Sequence, residues 1–492
     1  MMLATLLTTL SLLPTLPLPL TAPAPLASPR ELPYHQLAEH FLASKGLAEA
    51  APAEQSPKAV LATGFLHTPI GLFDVWSPVD ELRTKDAATD HREVCIALCQ
   101  AQERWLEWVG EGANGGEALR ADLAELREWI AEWDVQTLRE AHDRPERTTL
   151  DLFDADEPVR VLAADVAERF RKNQILGAVA GTSPRAVELA LMPTRAGFIE
   201  FIAYAGEYLR SARGSFWHSG IQTWSQFTLE DLNVIALEYA SPTARPGEYT
   251  AAYDMNTKSP TGLQEQVVQL AMNELLAHQH RDALPPGLIS GLAINLVTDL
   301  YGACHSRVDG DTSSKVTNKR EVFVRGGQPQ GGILPPNSAE SRWRQEYGRK
   351  HYAPILKQTQ KAGAGAERRS KNKLRSFLLQ NESGSETYLT HAPLLGPSAG
   401  EVEVVPDAVY GDYLEFTRAY RAAFLYWLQH HADRSKKKAA TKFSAFLGGI
   451  SGDLDSPGLA EVAEAVYGFP LSDAEVSTKS LEGRFLKWIS RQ

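Results

Sequence analysis

The stretch "QVVQLAMNELLAHQH", Gln266 to His280, is followed within a few residues by "LPPGLISGLAINL". Pro285 and Pro286 stand between two apolar runs, and proline inside a helix removes a backbone donor and clashes with the preceding turn. The pattern therefore predicts two helices with a break at the prolines. The first carries Leu263, Val267, Leu270, Ala271 and Leu275 at spacings of three and four, an apolar face that must be buried. Upstream, "VELALMP" and "LNVIALEYASP" read as strands and "TRAGFIEFIAYAGEYL" between them as a helix. Strands followed by a helix pair predict an α+β fold.

The rest of the chain divides around this centre. Residues 29–150 form an N-terminal region with a short helical piece, "PYHQLAEHFLASKGL", and a linker-like "AEAAPAEQSPKA". A strand or hairpin follows in "VLATGFLHTPIGLFDVWSPVDEL", then two long amphipathic patterns over 89–111 and 117–141 that predict a helical hairpin. The α+β core spans 151–304. Residues 305–398 are rich in Gly, Ser and charge and read as a loop-rich insertion. Residues 399–492 hold four helical patterns separated by Gly or Pro, a C-terminal helical subdomain. Residues 1–28 have an apolar run followed by small residues, which resembles an export signal and predicts an exported protein. Its prolines at 14, 17 and 19 oppose a persistent spanning helix, and no other segment is apolar for long enough to cross a bilayer.

Composition excludes some functions. A net charge of −11 repels phosphates at long range, so a general nucleic-acid partner is not expected. The basic runs "RRSKNKLR" and "RSKKKAATK" lack interleaved aromatics and read as solvated loops or helix ends. Three cysteines give no disulfide framework; Cys95 and Cys99 are four apart in a helical pattern and read as part of a buried stripe with Ile96, Leu98 and Trp105 nearby. There is no nucleophile elbow, phosphate loop or dinucleotide fingerprint. Asp309 and Asp311 make half of a calcium loop and read as a solvated turn, and Ser215 and His218 in "GSFWHSG" form no legible triad.

The order of these elements, the "VV" and "LL" around the first helix centre, the "LPPGLISGLA" turn and the ending "YRAAFLYWLQHH…FSAFLGGI…LEGRFLKWI" resemble the peptidase MA-like, gluzincin-type zinc metallopeptidases from about Val159 to the C-terminus. In such enzymes two histidines one helical turn apart hold zinc, a glutamate between them polarises the bound water, and a third ligand arrives from the next helix. The resemblance places the first histidine at Gln269, the glutamate at Leu270, the second histidine at Asn273 and the downstream ligand at Ser290. All four depart from the pattern. Leu270 cannot take a proton, and the amides of Gln269 and Asn273 suit zinc poorly.

A shifted register places Asn273 and Glu274 over the histidine–glutamate pair and keeps the carboxylate, but it puts Ala277 at the second ligand and loses the flanking match. The resemblance thus implies a gluzincin-like domain without catalytic residues or cofactor: a pseudopeptidase that binds a peptide or protein partner. The alternative is an active metal-dependent hydrolase with zinc on Glu274, His278 and His305. A structural protein with no cleft function is the third reading. The oligomeric state is not legible.

Overall fold

The computed structural model describes residues 34–47, 55–79, 85–109, 116–133, 150–173, 186–213, 226–229, 234–238, 262–280, 286–301, 422–450, 458–471 and 478–489. The segments 1–28 and 305–398 lie outside the described residues, as do the basic run at 368–375, Ser215, His218, Asp309 and Asp311.

The protein is α+β, with one six-stranded mixed sheet. Strands β1 (Phe65–Ile70) and β2 (Phe73–Pro78) form an antiparallel hairpin in which Ile70 faces Phe73. The two-residue turn requires a positive φ, and Gly71 supplies it at 60°. The short β3 (Leu150–Asp151) runs parallel to β1, while β4 (Val187–Met192) runs parallel to β2. Beyond β4 come the parallel β6 (Val234–Glu238) and then β5 (Gln226–Leu229), antiparallel to β6. The order is β3-β1-β2-β4-β6-β5, so one sheet draws strands from both the 29–150 and the 151–304 regions. Pro69 is tolerated within β1 opposite Asp74, near the hairpin end.

Alternation along the strands divides the apolar side chains between two layers. Phe65, Trp76, Ala190, Met192, Val234 and Ala236 share one cluster with side chains of α1 (Tyr34–Ser44), α2 (Pro57–Leu61) and α6 (Arg195–Arg213). Phe41 of α1 meets Phe201 edge-on and stacks on Tyr204 of α6, each at 5.6 Å between centroids. The linker-like sequence therefore ends in a helix: Ser56 caps α2 by accepting from the amide of Ala59, with Pro57 in the first turn.

The opposite face presents Leu66, Ile70, Phe73, Val75, Val187, Leu189, Leu191 and Ile235 to the larger core. That layer holds α3 (Lys85–Val109), α4 (Gly116–Glu132), α5 (Glu157–Asn173), α7 (Gly262–His280) and α8 (Pro286–Tyr301). The helices α9 (422–430), α10 (Lys436–Gly449), α11 (Leu459–Tyr467) and α12 (Leu481–Ile489) join the same core. Phe443 of α10 packs edge-on against Trp108 of α3 at 6.0 Å, and Phe485 of α12 against Phe424 of α9 at 5.5 Å. Asn295 of α8 donates to the Ala422 carbonyl at 2.9 Å, tying the C-terminal helices to the helix pair. No helix among the described residues is long and apolar enough to cross a membrane.

Candidate functional site

Helix α7 is the centre of the predicted site. Leu263, Val267, Leu270, Ala271 and Leu275 are all buried, but so are Val268, Met272 and Leu276 on other sides of the helix. A helix buried on most sides leaves little solvent face to accept its polar residues. Glu265, Gln266, Gln269 and Glu274 are buried with the rest.

Gln269 and Asn273, four apart, project from one face, and Leu270 and Glu274 from the neighbouring one. Gln269 is fully buried, and neither end of its amide has a hydrogen-bond partner among the described residues. Leu270 is 6% exposed and part of the larger apolar core. Asn273 is partly exposed and Glu274 is 7% exposed. Ser290 stands in the first turns of α8, which packs against α7, but its side chain lies outside the described residues. The side chain of His278 and the whole of His305 lie outside them too. The structure thus brings the helices of the four predicted positions together, and it seals Gln269 and Leu270 away from solvent.

These side chains do not fit zinc. Two neutral amides and an aliphatic chain offer neither imidazole, thiolate nor carboxylate where the resemblance requires ligands and a base. Among the described residues, no group of three or more His, Cys, Asp or Glu side chains is arranged to share a metal ion.

Two polar clusters on the sheet were not anticipated from sequence. The first joins the hairpin to α3. Ser77 Oγ lies 2.7 Å from His91 Nδ1, and Thr68 Oγ1 lies 2.9 Å from His91 Nε2, with all three residues fully buried. Burial, with a smaller contribution from His67, pushes His91 down to about 3, so the ring is neutral at physiological pH. A neutral imidazole donates through one nitrogen and accepts through the other, which two hydroxyls can satisfy. The Ser77–His91 contact has the length of a nucleophile–base pair, but a sealed base of so low a pKa is suited to packing and not to proton abstraction.

Cys95 and Cys99 stand in the same interface, both buried and free. Burial raises both thiols well above their ordinary range, which leaves them unreactive.

The second cluster lies on the other face of the sheet, where Asp74 of β2 is directly opposite Glu188 of β4. Like charges in that register repel and need a cation. Lys58 of α2 supplies it, pairing with one Glu188 oxygen and standing 4.0 Å from Asp74. Trp76 Nε1 donates to the other Glu188 oxygen at 2.6 Å, and His67 Nε2 lies 2.8 Å from Asp74 while stacking on the Trp76 ring at 4.1 Å.

Burial and the Asp74 carboxylate raise Glu188 above the usual carboxylate range in spite of Lys58. Burial pulls Lys58 down, but its bond and attraction to Glu188 outweigh this and hold it above the usual lysine value. The cluster is a satisfied clamp that fastens α2 to the sheet. Its sequence signal was a carboxylate inside each of two apolar strands, "FDVWSP" and "VELALM".

No protein-family model matches the chain, no curated protein matches it, and no solved structure matches its fold.

Proposed function

We propose that this chain is an exported pseudopeptidase: a gluzincin-like domain that has lost its zinc and general base and binds a peptide or protein partner. The observation that supports the reading is that Leu270, where the resemblance places the catalytic glutamate, is packed in the apolar core. A side chain there that can neither accept a proton nor reach water leaves water activation without an agent. Gln269, where the resemblance places the first zinc ligand, is likewise enclosed.

What remains is a shape. β5 is the last strand of the sheet among the described residues and runs antiparallel to its neighbour β6. Such an edge can pair with an extended segment through main-chain hydrogen bonds, with no metal involved.

The test is elemental analysis for zinc on purified full-length protein, together with a broad peptide-hydrolysis assay. The expected result is no stoichiometric zinc and no hydrolysis. Stoichiometric zinc that disappears in Glu274→Ala, accompanied by hydrolysis, would overturn the reading in favour of an active hydrolase using Glu274, His278 and His305.

A further inference from the structure

An exposed side chain closes over a buried one where α2 meets the sheet. Lys58 is 65% exposed along its side chain, while Glu188, which it grips, is 5% exposed and Asp74 16%. The two carboxylates face one another across β2 and β4, so Lys58 bridges charges that repel each other. α2 also rests on the sheet through Val60 and Leu61, both fully buried. A helix of five residues has too few hydrogen bonds to persist away from its support. Its amides report on it directly, since Val60 donates to the Ser56 carbonyl and Ala62 to that of Lys58, each at 3.0 Å.

An ammonium in contact with a carboxylate favours the ionised form, and by linkage a proton on the carboxylate weakens the hold of the ammonium. With Glu188 neutral, Lys58 is left with its longer contact to Asp74, 4.0 Å. The groups acting on Glu188 are Lys58 from α2 and Asp74 and Trp76 from β2, while Val234, its neighbour on β6, carries no charge. Trp76 Nε1, 2.6 Å away, can donate in either state, because a carboxylic acid still offers its carbonyl oxygen. Arg171, in the last turn of α5, acts on Lys58 with like charge, and His67 of β1 faces Asp74 at 2.8 Å. A positive charge on either opposes the docking of Lys58.

We propose that the Lys58–Glu188 contact is an acid-released latch: protonation of Glu188 frees α2 from the sheet while the strands beneath it stay folded. Opening removes the pull of Lys58 but leaves Asp74 in place, because β2 and β4 remain paired. The open state therefore holds the Glu188 proton more tightly than the docked one. Docking is strongest above the docked value of Glu188 and weakens as pH falls through it. Burial and Asp74 set that value above an ordinary 4.5, in spite of Lys58 and Trp76. The burial of Val60 and Leu61 keeps the open form a minority at every pH, so the latch changes its population and not the fold. None of the positions used in the pseudopeptidase reading takes part, and the two stand or fall separately.

The experiment is amide hydrogen exchange, read by mass spectrometry on the full-length protein at about pH 7.5 and about pH 4.5, each corrected for the intrinsic rate. Protection of the peptide holding Val60 and Ala62 should fall by about two- to fivefold at the lower pH, the range that an ion pair with so exposed a cation supports. It should stay below that of Leu189 and Leu191 in β4 at both values. Glu188→Gln, which imitates the protonated acid, should show the lower protection at both.

Unchanged protection of α2 in the natural chain overturns the proposal. So does a rise on acidification, which would mean that hydration of Glu188 on opening outweighs the loss of Lys58. Protection equal to that of β4 would show that α2 leaves only when the whole fold does, and is equally fatal. These outcomes need no variant. A folded Glu188→Gln protein that keeps the full pH dependence assigns the proton to another group and overturns the latch as well.

Discussion

Ser77 Oγ and His91 Nδ1 lie 2.7 Å apart in the sealed interface between the β1–β2 hairpin and α3. His91 titrates at about 3 in the folded chain and at 6.5 when freed from it. The unfolded chain therefore takes up the proton first, and stability that is complete above pH 6.5 is lost as pH falls towards 3. The loss is about 1.4 kcal/mol for each pH unit within that window. Denaturant midpoints measured from pH 7 to pH 4 should fall more steeply for the natural chain than for His91→Gln. Equal slopes would show that His91 is not the buried neutral group described.

Gly71 and Gln102 make a second sensitive pair. A Cβ on Gly71 would sit 2.3 Å from Gln102 Oε1 and 3.0 Å from the Phe170 ring, at a φ of +60°. Gln102 cannot retreat easily, since it accepts from the Leu72 amide at 2.9 Å and donates to the Ile70 carbonyl at 3.0 Å. Gly71→Ala should cost about 3–4 kcal/mol, from left-handed backbone strain and overpacking together. Gly46→Ala has a similar φ of +76° with nothing within 4 Å, and should cost only about 1–2 kcal/mol. Equal losses for the two in urea unfolding would refute the role given to Gln102.

Lys58 is the cation that holds two opposed carboxylates, yet its side chain is 65% exposed. Solvent screening therefore limits the cost of Lys58→Ala to on the order of 1 kcal/mol at neutral pH. The sign of its pH dependence is definite. Glu188 has a folded pKa above its ordinary 4.5, so the folded chain holds that proton more tightly, and stability falls as pH rises through the folded value. Removing Lys58 raises that value further. The gap between Lys58→Ala and the natural chain should widen from pH 4.5 to pH 8, with Trp76 emission reporting the altered Glu188. A gap that is flat with pH would mean that Lys58 contributes packing only.

If the α7–α8 pair inherits a metallopeptidase frame, four changes should rebuild the site: Gln269→His, Leu270→Glu, Asn273→His and Ser290→Glu. The expected outcome is stoichiometric zinc in a folded protein, measured by elemental analysis and circular dichroism. Hydrolysis is not required, because the buried setting of positions 269 and 270 restricts substrate entry. A folded quadruple variant that takes up no zinc would remove the geometric basis of the pseudopeptidase reading.

Several elements were legible before any coordinates. The apolar run of "VELALM" became a strand buried at every position, and the period of "GLQEQVVQLAMNELLAHQH" gave α7. Cys95 and Cys99 fell on a buried helix face as their spacing of four requires. Other features were not legible. α2 emerged from a segment that reads as linker: its cap, Ser56 on the Ala59 amide, is local, but its anchor, Lys58 on Glu188, is a partner 130 residues away. The short β3 and β5 exist through pairing with β1 and β6 and carry little signal of their own.

The α7 sequence predicted an apolar stripe, and the structure buried most sides of the helix among the described side chains, with Gln264 and Asn273 partly exposed. Periodicity reports which side of a helix is most apolar, while burial depends on how many neighbours surround it.

Local sequence by itself determined the longer helices and the apolar strands, where they break at Gly71 and Pro285–Pro286, and that positions 269, 270, 273 and 290 carry no zinc ligands, because backbone sterics and side-chain chemistry are properties of the residues alone. Only the tertiary structure decided that Asp74 faces Glu188 under Lys58, that His91 is neutral between two hydroxyls, and that the Gln269 amide is enclosed. Register, dielectric surroundings and unsatisfied hydrogen bonds arise from groups far apart in the chain and come into being only when the layers close on one another.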